Sequence, residues 1–264
     1  MSDTGWVEVA SQGVRLAARR FDGPGEAVVL LHGLAGHNGE WTQLANVLTS
    51  TRDVVALDLR GHGCSERRPS DVSPQAFCSD VVEVIQAVGH EQVQLVGQSF
   101  GGHIAFLTAA WFPEVVSSLV VVEADPDGPK PEVLARVATS LRSWPRPFPS
   151  RASALAFFGS TASPETWVEG LDQREDGAWP RFDNDIVVAA LKHFTDRSWW
   201  DEWKSITCPT VIVRGDHGDL PLSLSSKMAS ALPVASVMTI ADARHDVHLD
   251  QAERLARVVT GAWA

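Results

Sequence analysis

Tyrosine is absent from this 264-residue sequence, so no reaction that needs a phenol to deliver a proton can be assigned to it. Cysteine is scarce, with only Cys64, Cys78 and Cys208, an odd count without metal-ligand spacing. Neither a disulfide framework nor a Cys-rich zinc site is expected, and no metal is assigned. Bases are in deficit: 22 Lys and Arg stand against 33 Asp and Glu, a formal net charge of −11. Phosphate backbones are bound by clustered cations that displace counterions, so no nucleic-acid partner is expected. No run of 18 apolar residues occurs. The opening Met-Ser-Asp-Thr-Gly-Trp also lacks a basic stretch followed by an apolar one. Neither a membrane span nor a secretory leader is expected, and the location these absences suggest is the cytoplasm.

What is present describes an ordinary globular chain, 44% hydrophobic and 21% charged. At this length a chain buries roughly 70–75% of its unfolded surface without covalent staples. Short β-branched runs alternate with amphipathic stretches. Strands are predicted at Val28–Leu31, Val54–Asp58, Val93–Val96 and Leu119–Val122. Helices are predicted from Pro74 to Val88, with Gly89 as the stop, and from Phe100 to Phe112, ended by Pro113. This rhythm implies a doubly wound, mostly parallel sheet with helices on both faces. Residues 126–203 break it, holding eight of the fifteen prolines and six of the ten tryptophans. Trp144-Pro-Arg-Pro-Phe-Pro149 suits neither a helix interior nor a central strand. Apolar positions persist there, so the stretch reads as a folded helical lid. The rhythm resumes with strands at Thr210–Val213 and Ser236–Ile240 and a closing helix near Gln251 to Val259. The expected organisation is a core of residues 1–125 and 204–264 with a lid of residues 126–203.

Gly97-Gln-Ser-Phe-Gly101 fits G-x-S-x-G directly after a predicted strand and before a predicted helix. A strand–turn–helix of this kind strains the serine backbone and lifts its hydroxyl above the sheet. His32-Gly-Leu-Ala-Gly36 follows the Val28–Leu31 strand, where a second backbone donor for a developing oxyanion would lie. The N–H groups of Leu34 and Phe100 are the candidate pair.

With these motifs, Asp58-Leu-Arg-Gly-His-Gly63, Arg214-Gly-Asp-His-Gly-Asp219 and Ala243-Arg-His-Asp-Val-His-Leu249, the chain resembles the α/β-hydrolase fold superfamily over essentially its whole length. The resemblance implies a triad in the order Ser, acid, His: Ser99 as nucleophile and His245 as base. His248 is the competing histidine, read as packing or capping. Asp219 is the expected acid, four residues past Gly215. Glu123 and Asp125 at the preceding strand end are the alternatives, and Asp216 is expected to point elsewhere. Asp58–Gly63 reads as a structural turn, and His103 as a structural hydrogen-bonding group. Substrate contacts are expected from His37, Trp41, Trp144, Phe157 and Trp167.

The serine at position 99 sets the chain apart from dehalogenases and epoxide hydrolases of this fold, which attack with aspartate. The missing tyrosines close the epoxide reading. The implied activity is hydrolysis of an ester, lactone or thioester of a small to mid-sized, largely apolar molecule, with no cofactor. The same triad could serve a lyase, a perhydrolase or an acyl-transferring cyclase. A non-enzymatic small-molecule receptor also fits the residues. The partner expected is a small molecule; the sequence does not set the oligomeric state, and a homodimer is compatible with it.

Overall fold

The computed structural model describes residues 4–195 and 197–261. Met1–Asp3, part of the stretch read for a leader, lie outside these. The sheet opens with an antiparallel hairpin, β1 (Thr4–Ser11) and β2 (Val14–Phe21). Its turn residues Gln12 and Gly13 both have positive φ, 50° and 79°, the conformation of the two-residue turn that matches strand twist. Then come β3 (Ala27–Leu31), a 3-10 turn at Asn38–Trp41, α1 (Thr42–Leu48) and β4 (Asp53–Asp58). They are followed by α2 (Pro74–Ala87), β5 (Val93–Gln98), α3 (Phe100–Trp111) and β6 (Val116–Val122). Helix α2 begins as its sequence suggests: Ser73 Oγ accepts the Ala76 N–H, Pro74 takes the first position, and Gly89 follows its end.

Between β6 and the next long strand lie α4 (Pro131–Arg142), α5 (Arg151–Phe158), α6 (Pro164–Glu169), the ribbon β7 (Asp172–Arg174) and β8 (Gly177–Trp179), α7 (Asn184–Thr195) and α8 (Trp200–Ser205). The chain closes with β9 (Thr210–Gly215), α9 (Leu222–Ala231), β10 (Ala235–Ile240), α10 (Val247–Asp250) and α11 (Ala252–Gly261).

Eight strands form one sheet in the order β1-β2-β4-β3-β5-β6-β9-β10. The six strands from β4 to β10 run parallel, and the hairpin joins β4 antiparallel through β2. Every residue of β3, β4 and β5 is buried, as strands covered on both faces must be. Val29 and Leu31 of β3 face a core containing Phe77, Phe106 and Trp203. Val28 and Leu30 face the opposite layer, with Trp41, Leu44 and Leu255. The segment between β6 and β9 has a small apolar cluster of its own, built on Phe148, Phe158, Val168 and Leu171. Its last helix, α8, sinks Trp203 into the main core, where the indole N–H donates to the Met228 carbonyl at 3.0 Å. Among the described residues no helix is long and apolar enough to cross a membrane.

Candidate active site

Ser99 sits between the end of β5 and the first turn of α3 with φ 51° and ψ −114°. A non-glycine residue in this region stores strain that its surroundings must hold. The Ser99 N–H donates to the Val122 carbonyl at 2.8 Å, and the Ser99 carbonyl accepts from His103, from N at 3.1 Å and Nδ1 at 3.0 Å. The turn also needs its flanking glycines. A Cβ on Gly97 would lie 2.2 Å from the Gly101 carbonyl oxygen, and one on Gly101 would lie 2.3 Å from that of Leu31.

His245 lies in the loop between β10 and α10. The Gln98 side-chain amide donates to its carbonyl at 3.0 Å, tying the histidine loop to the residue before the serine. Two carboxylates face its Nδ1: Glu123 Oε2 at 3.5 Å and Asp219 Oδ2 at 3.4 Å. Their settings differ sharply. The Glu123 side chain is fully buried, whereas that of Asp219 is 86% exposed. Glu123 Oε1 accepts the Gly215 N–H at 2.8 Å. Its Oε2 accepts those of Asp219 at 2.7 Å and Leu220 at 3.0 Å. Gly218 leaves the room for it, since a Cβ there would lie 2.1 Å from Oε1. Burial lowers the affinity of the His245 ring for a proton. The contact with Glu123 and the charges of Asp246 and Asp219 outweigh it, and the pKa is raised. Asp216 is turned to the backbone, accepting the Ala243 N–H at 3.2 Å. Asp125 accepts the Asp127 N–H at 2.9 Å.

Ser99, His245, Glu123, Asp219, Leu34 and Phe100 line one cavity of about 790 Å³. The loop that carries Leu34 is pinned by His32, which donates from Nδ1 to the Gly33 carbonyl at 2.7 Å and accepts the Leu59 N–H on Nε2 at 3.1 Å. Burial holds this ring well below the usual histidine range, so it is neutral and both nitrogens are used. The Asp58–Gly63 turn is structural: the Asp58 carboxylate accepts the N–H groups of Asn38 at 2.6 Å and Cys64 at 2.8 Å. His248 is buried against Trp41, with ring centroids 4.4 Å apart.

Of the five residues expected to touch substrate, Trp167 lines the cavity that holds Ser99. Trp144 and His37 line a smaller adjoining space with it. His37 accepts the Gly39 N–H on Nδ1, so Nε2 carries the proton and donates to the Thr166 carbonyl of α6 at 3.1 Å. It fastens α6 to the loop after β3 rather than reaching into the larger cavity. Trp41 is completely buried beneath His248 and lines neither space. Its position one turn past the loop puts it in the core layer under the sheet. Phe157 is 40% exposed and packs edge-on against Trp144 and Phe148, away from both spaces. Charged and amide side chains at the cavity that the sequence motifs did not single out include Glu40, Gln98, Lys130, Arg136 and Asp246. For Gln98, the residue before the serine in the elbow, the motif itself was the available signal. Among the described residues no group of three or more His, Cys, Asp or Glu could hold a metal ion.

A strained serine, a histidine backed by carboxylates and a loop of backbone donors are the parts needed for attack on a carbonyl carbon. Residues 26–252 match the family model described as the alpha/beta hydrolase fold. A protein assigned as a 2-succinyl-6-hydroxy-2,4-cyclohexadiene-1-carboxylate synthase in Bacillus subtilis (strain 168) is 26% identical, over 95% of each chain. An sn-1-specific diacylglycerol lipase of Mus musculus is 29% identical over 90% of this chain and 81% of its own. Among solved structures, E-2-(acetamidomethylene)succinate hydrolase superposes with a TM-score of 0.89 at 20% identity, covering 98% of both chains.

Proposed function

The chain belongs to the alpha/beta hydrolase fold family of enzymes, and we propose that it cleaves an ester, lactone or thioester of a small to mid-sized molecule through a serine-bound acyl intermediate. The observation that carries this reading is the strained Ser99 sharing one cavity with a histidine whose Nδ1 faces two carboxylates. Ser99 Oγ attacks the carbonyl carbon while His245 takes its proton. The amides of Leu34 and Phe100 hold the oxyanion. His245 then returns the proton to the leaving group, and water repeats the sequence on the acyl-enzyme.

We assign the orienting carboxylate to Glu123 in place of the expected Asp219. Glu123 is fixed by three backbone N–H groups and dry, so its charge acts on the imidazole through a low dielectric. Asp219 stands as near to Nδ1 and its charge also favours the protonated ring, but its side chain is 86% exposed and not fixed by the backbone, so it orients the imidazole less. The residues from 126 to 203 serve as the lid. Val133, Val137, Leu141, Trp167 and Leu191 give the cavity an apolar stretch of wall, beside Lys130 and Arg136, and that stretch suits an apolar acyl or leaving group. The Bacillus relative's name, that of a synthase of a cyclohexadiene carboxylate, favours a second reading, in which the same serine and histidine serve a lyase or cyclase instead of a hydrolase.

Labelling by a fluorophosphonate probe, together with burst release of p-nitrophenol from an aryl ester, tests the first reading. Labelling at Ser99 and a burst of one equivalent are expected. A protein that neither labels nor turns over any ester would overturn it.

A further inference from the structure

Glu40 and His248 are ionisable side chains that the proposed reaction leaves without a task, yet they meet behind its site. Glu40 belongs to the Asn38–Trp41 turn just past the loop that carries Leu34. His248 lies in α10, three residues past His245. Both side chains are withdrawn from solvent, 2% and 0% exposed, and Glu40 Oε2 stands 3.3 Å from His248 Nε2. Glu40 Oε1 accepts the His37 N–H at 3.3 Å, and Glu40 is among the residues lining the cavity that holds Ser99. Gly36 leaves space for it, since a Cβ there would come within 2.7 Å of Oε1 and 2.9 Å of Oε2.

The groups facing this pair are nearly all acids or histidines. Glu40 meets His37 on its own turn, Asp58 at the end of β4, and Asp246 beside the catalytic histidine. His248 meets Asp246, His245 and Asp250, and His32 under the loop that carries Leu34. None of these is a lysine or arginine, so a carboxylate here would be a buried charge without a cation. Burial accordingly pushes the Glu40 carboxyl up to about 8 and holds the His248 ring down to about 4. A neutral pair with one hydrogen between Oε2 and Nε2 avoids a buried charge; with the carboxyl O–H as donor, the ring's own proton sits on Nδ1, which is buried without a hydrogen-bond partner.

We propose that Glu40 is a positioning residue, a protonated carboxylic acid that donates to His248 and so holds the oxyanion loop in register with the loop carrying His245. The proposal rests on the reading of Ser99 and His245 given above. It has a consequence that mere packing would not have. Loss of the proton places a negative charge behind the donors that stabilise a developing negative charge, so turnover falls on the alkaline side.

The test compares wild-type protein with Glu40→Gln and Glu40→Ala on an aryl ester from pH 6 to 9.5. Gln keeps a donor toward His248 and cannot ionise. It is expected to hold kcat within about threefold of wild type at pH 7 and to lack the alkaline fall expected of wild type near pH 8. Ala removes the strut and is expected to lower kcat about tenfold or more while moving KM less, as a misplaced donor does. An alkaline limb unchanged in Glu40→Gln, or an unchanged kcat in Glu40→Ala, overturns the proposal.

Thermal melting supplies a readout that needs no turnover. The folded carboxyl keeps its proton while the unfolded one loses it near 4.5, so wild-type stability falls between about pH 4.5 and about pH 8 relative to Glu40→Gln. The Tm advantage of Gln should therefore grow across that window and level off above it. A Tm difference independent of pH overturns the shared proton. Absence of fluorophosphonate labelling at Ser99 would instead overturn only the hydrolase chemistry.

Discussion

The cavity has two walls of different construction. On the sheet side each functional group is held by the backbone: Ser99 through Val122 and His103, Glu123 through Gly215, Asp219 and Leu220, and the Leu34 loop through His32. On the side of residues 126–203 the wall is mostly aliphatic, Val133, Val137, Leu141 and Leu191 with Trp167, beside Lys130 and Arg136, and rings pack on rings behind Trp167. Trp144 packs on Phe158 at 4.8 Å, and Phe158 stacks on Trp167 at 5.9 Å. Hydrogen bonds to peptide groups fix a position within tenths of an ångström, whereas apolar contacts tolerate exchange of shape. The comparison assigns chemistry to the first wall and choice of substrate to the second. Substitutions on the sheet side should therefore change kcat, and those on the other side KM.

The largest expected effect is that of Ser99→Ala, which should lower kcat by about 10⁴–10⁶ while leaving the melting temperature near that of wild type. Ester turnover and a thermal melt check both halves. Near-normal turnover in this variant would remove the nucleophile from the sheet wall altogether.

Glu123→Gln comes next, with an expected loss in kcat of about 10³–10⁴, because an amide can neither fix the productive tautomer nor stabilise the imidazolium. Asp219→Asn should cost less than about tenfold, its charge being largely screened by water. The pH profile separates them further. His245 must be neutral to accept the serine proton, so kcat/KM rises with pH through its pKa, which lies above the ordinary 6.5. Removing the Glu123 charge lowers that pKa and moves the acid limb down; Asp219→Asn should move it less. A greater loss in Asp219→Asn would restore the carboxylate expected from the motif.

The proposed change of carboxylate marks where the sequence was legible and where it was not. The strands, the helix α2 and the Ser99 elbow declare themselves through periodicity and glycine spacing that the folded chain obeys. The hairpin β1–β2 was also written there, in alternating residues around Gln12-Gly13, but it precedes the apolar runs that set the parallel pattern and went unread. Choosing between Glu123 and Asp219 needed burial, which spacing does not encode. The usable clue was Gly218: the residue one short of Asp219 lacks a side chain where the Glu123 carboxylate lies. Trp41 and Phe157 were misplaced for a related reason, since an aromatic residue near a functional loop looks the same whether it faces substrate or core.

Gly218→Ala turns this clue into an intermediate prediction. The added methyl would lie 2.1 Å from Glu123 Oε1, so either the carboxylate or the turn must move. The cost of overpacking is about 1–3 kcal/mol of stability, and kcat should fall by about 10²-fold if the carboxylate moves away from His245. Denaturant melts and kcat on one ester distinguish the two outcomes. Unchanged values for both would mean that Glu123 is not held as tightly as its three hydrogen bonds indicate.

The smallest expected effect belongs to the other wall. Trp167 lines the serine cavity and stacks on Phe158, and its indole N–H is buried without a hydrogen-bond partner. An indole so placed is held by shape, and its removal enlarges the space rather than breaking a network. Trp167→Leu should leave kcat on a short acyl ester within about threefold of wild type. It should lower KM for acyl chains several carbons longer by about tenfold, the scale of a methylene or two in an apolar pocket. Phe157→Leu is the control, since that ring packs in the same aromatic cluster but is 40% exposed and lies outside the cavity. It should shift the melting temperature slightly and leave the chain-length profile alone. If Phe157→Leu changed the profile as much as Trp167→Leu, the aromatic cluster would act on substrate choice as a whole. A fall in kcat for Trp167→Leu on every ester, with KM unmoved, would show that this wall also positions the reacting groups.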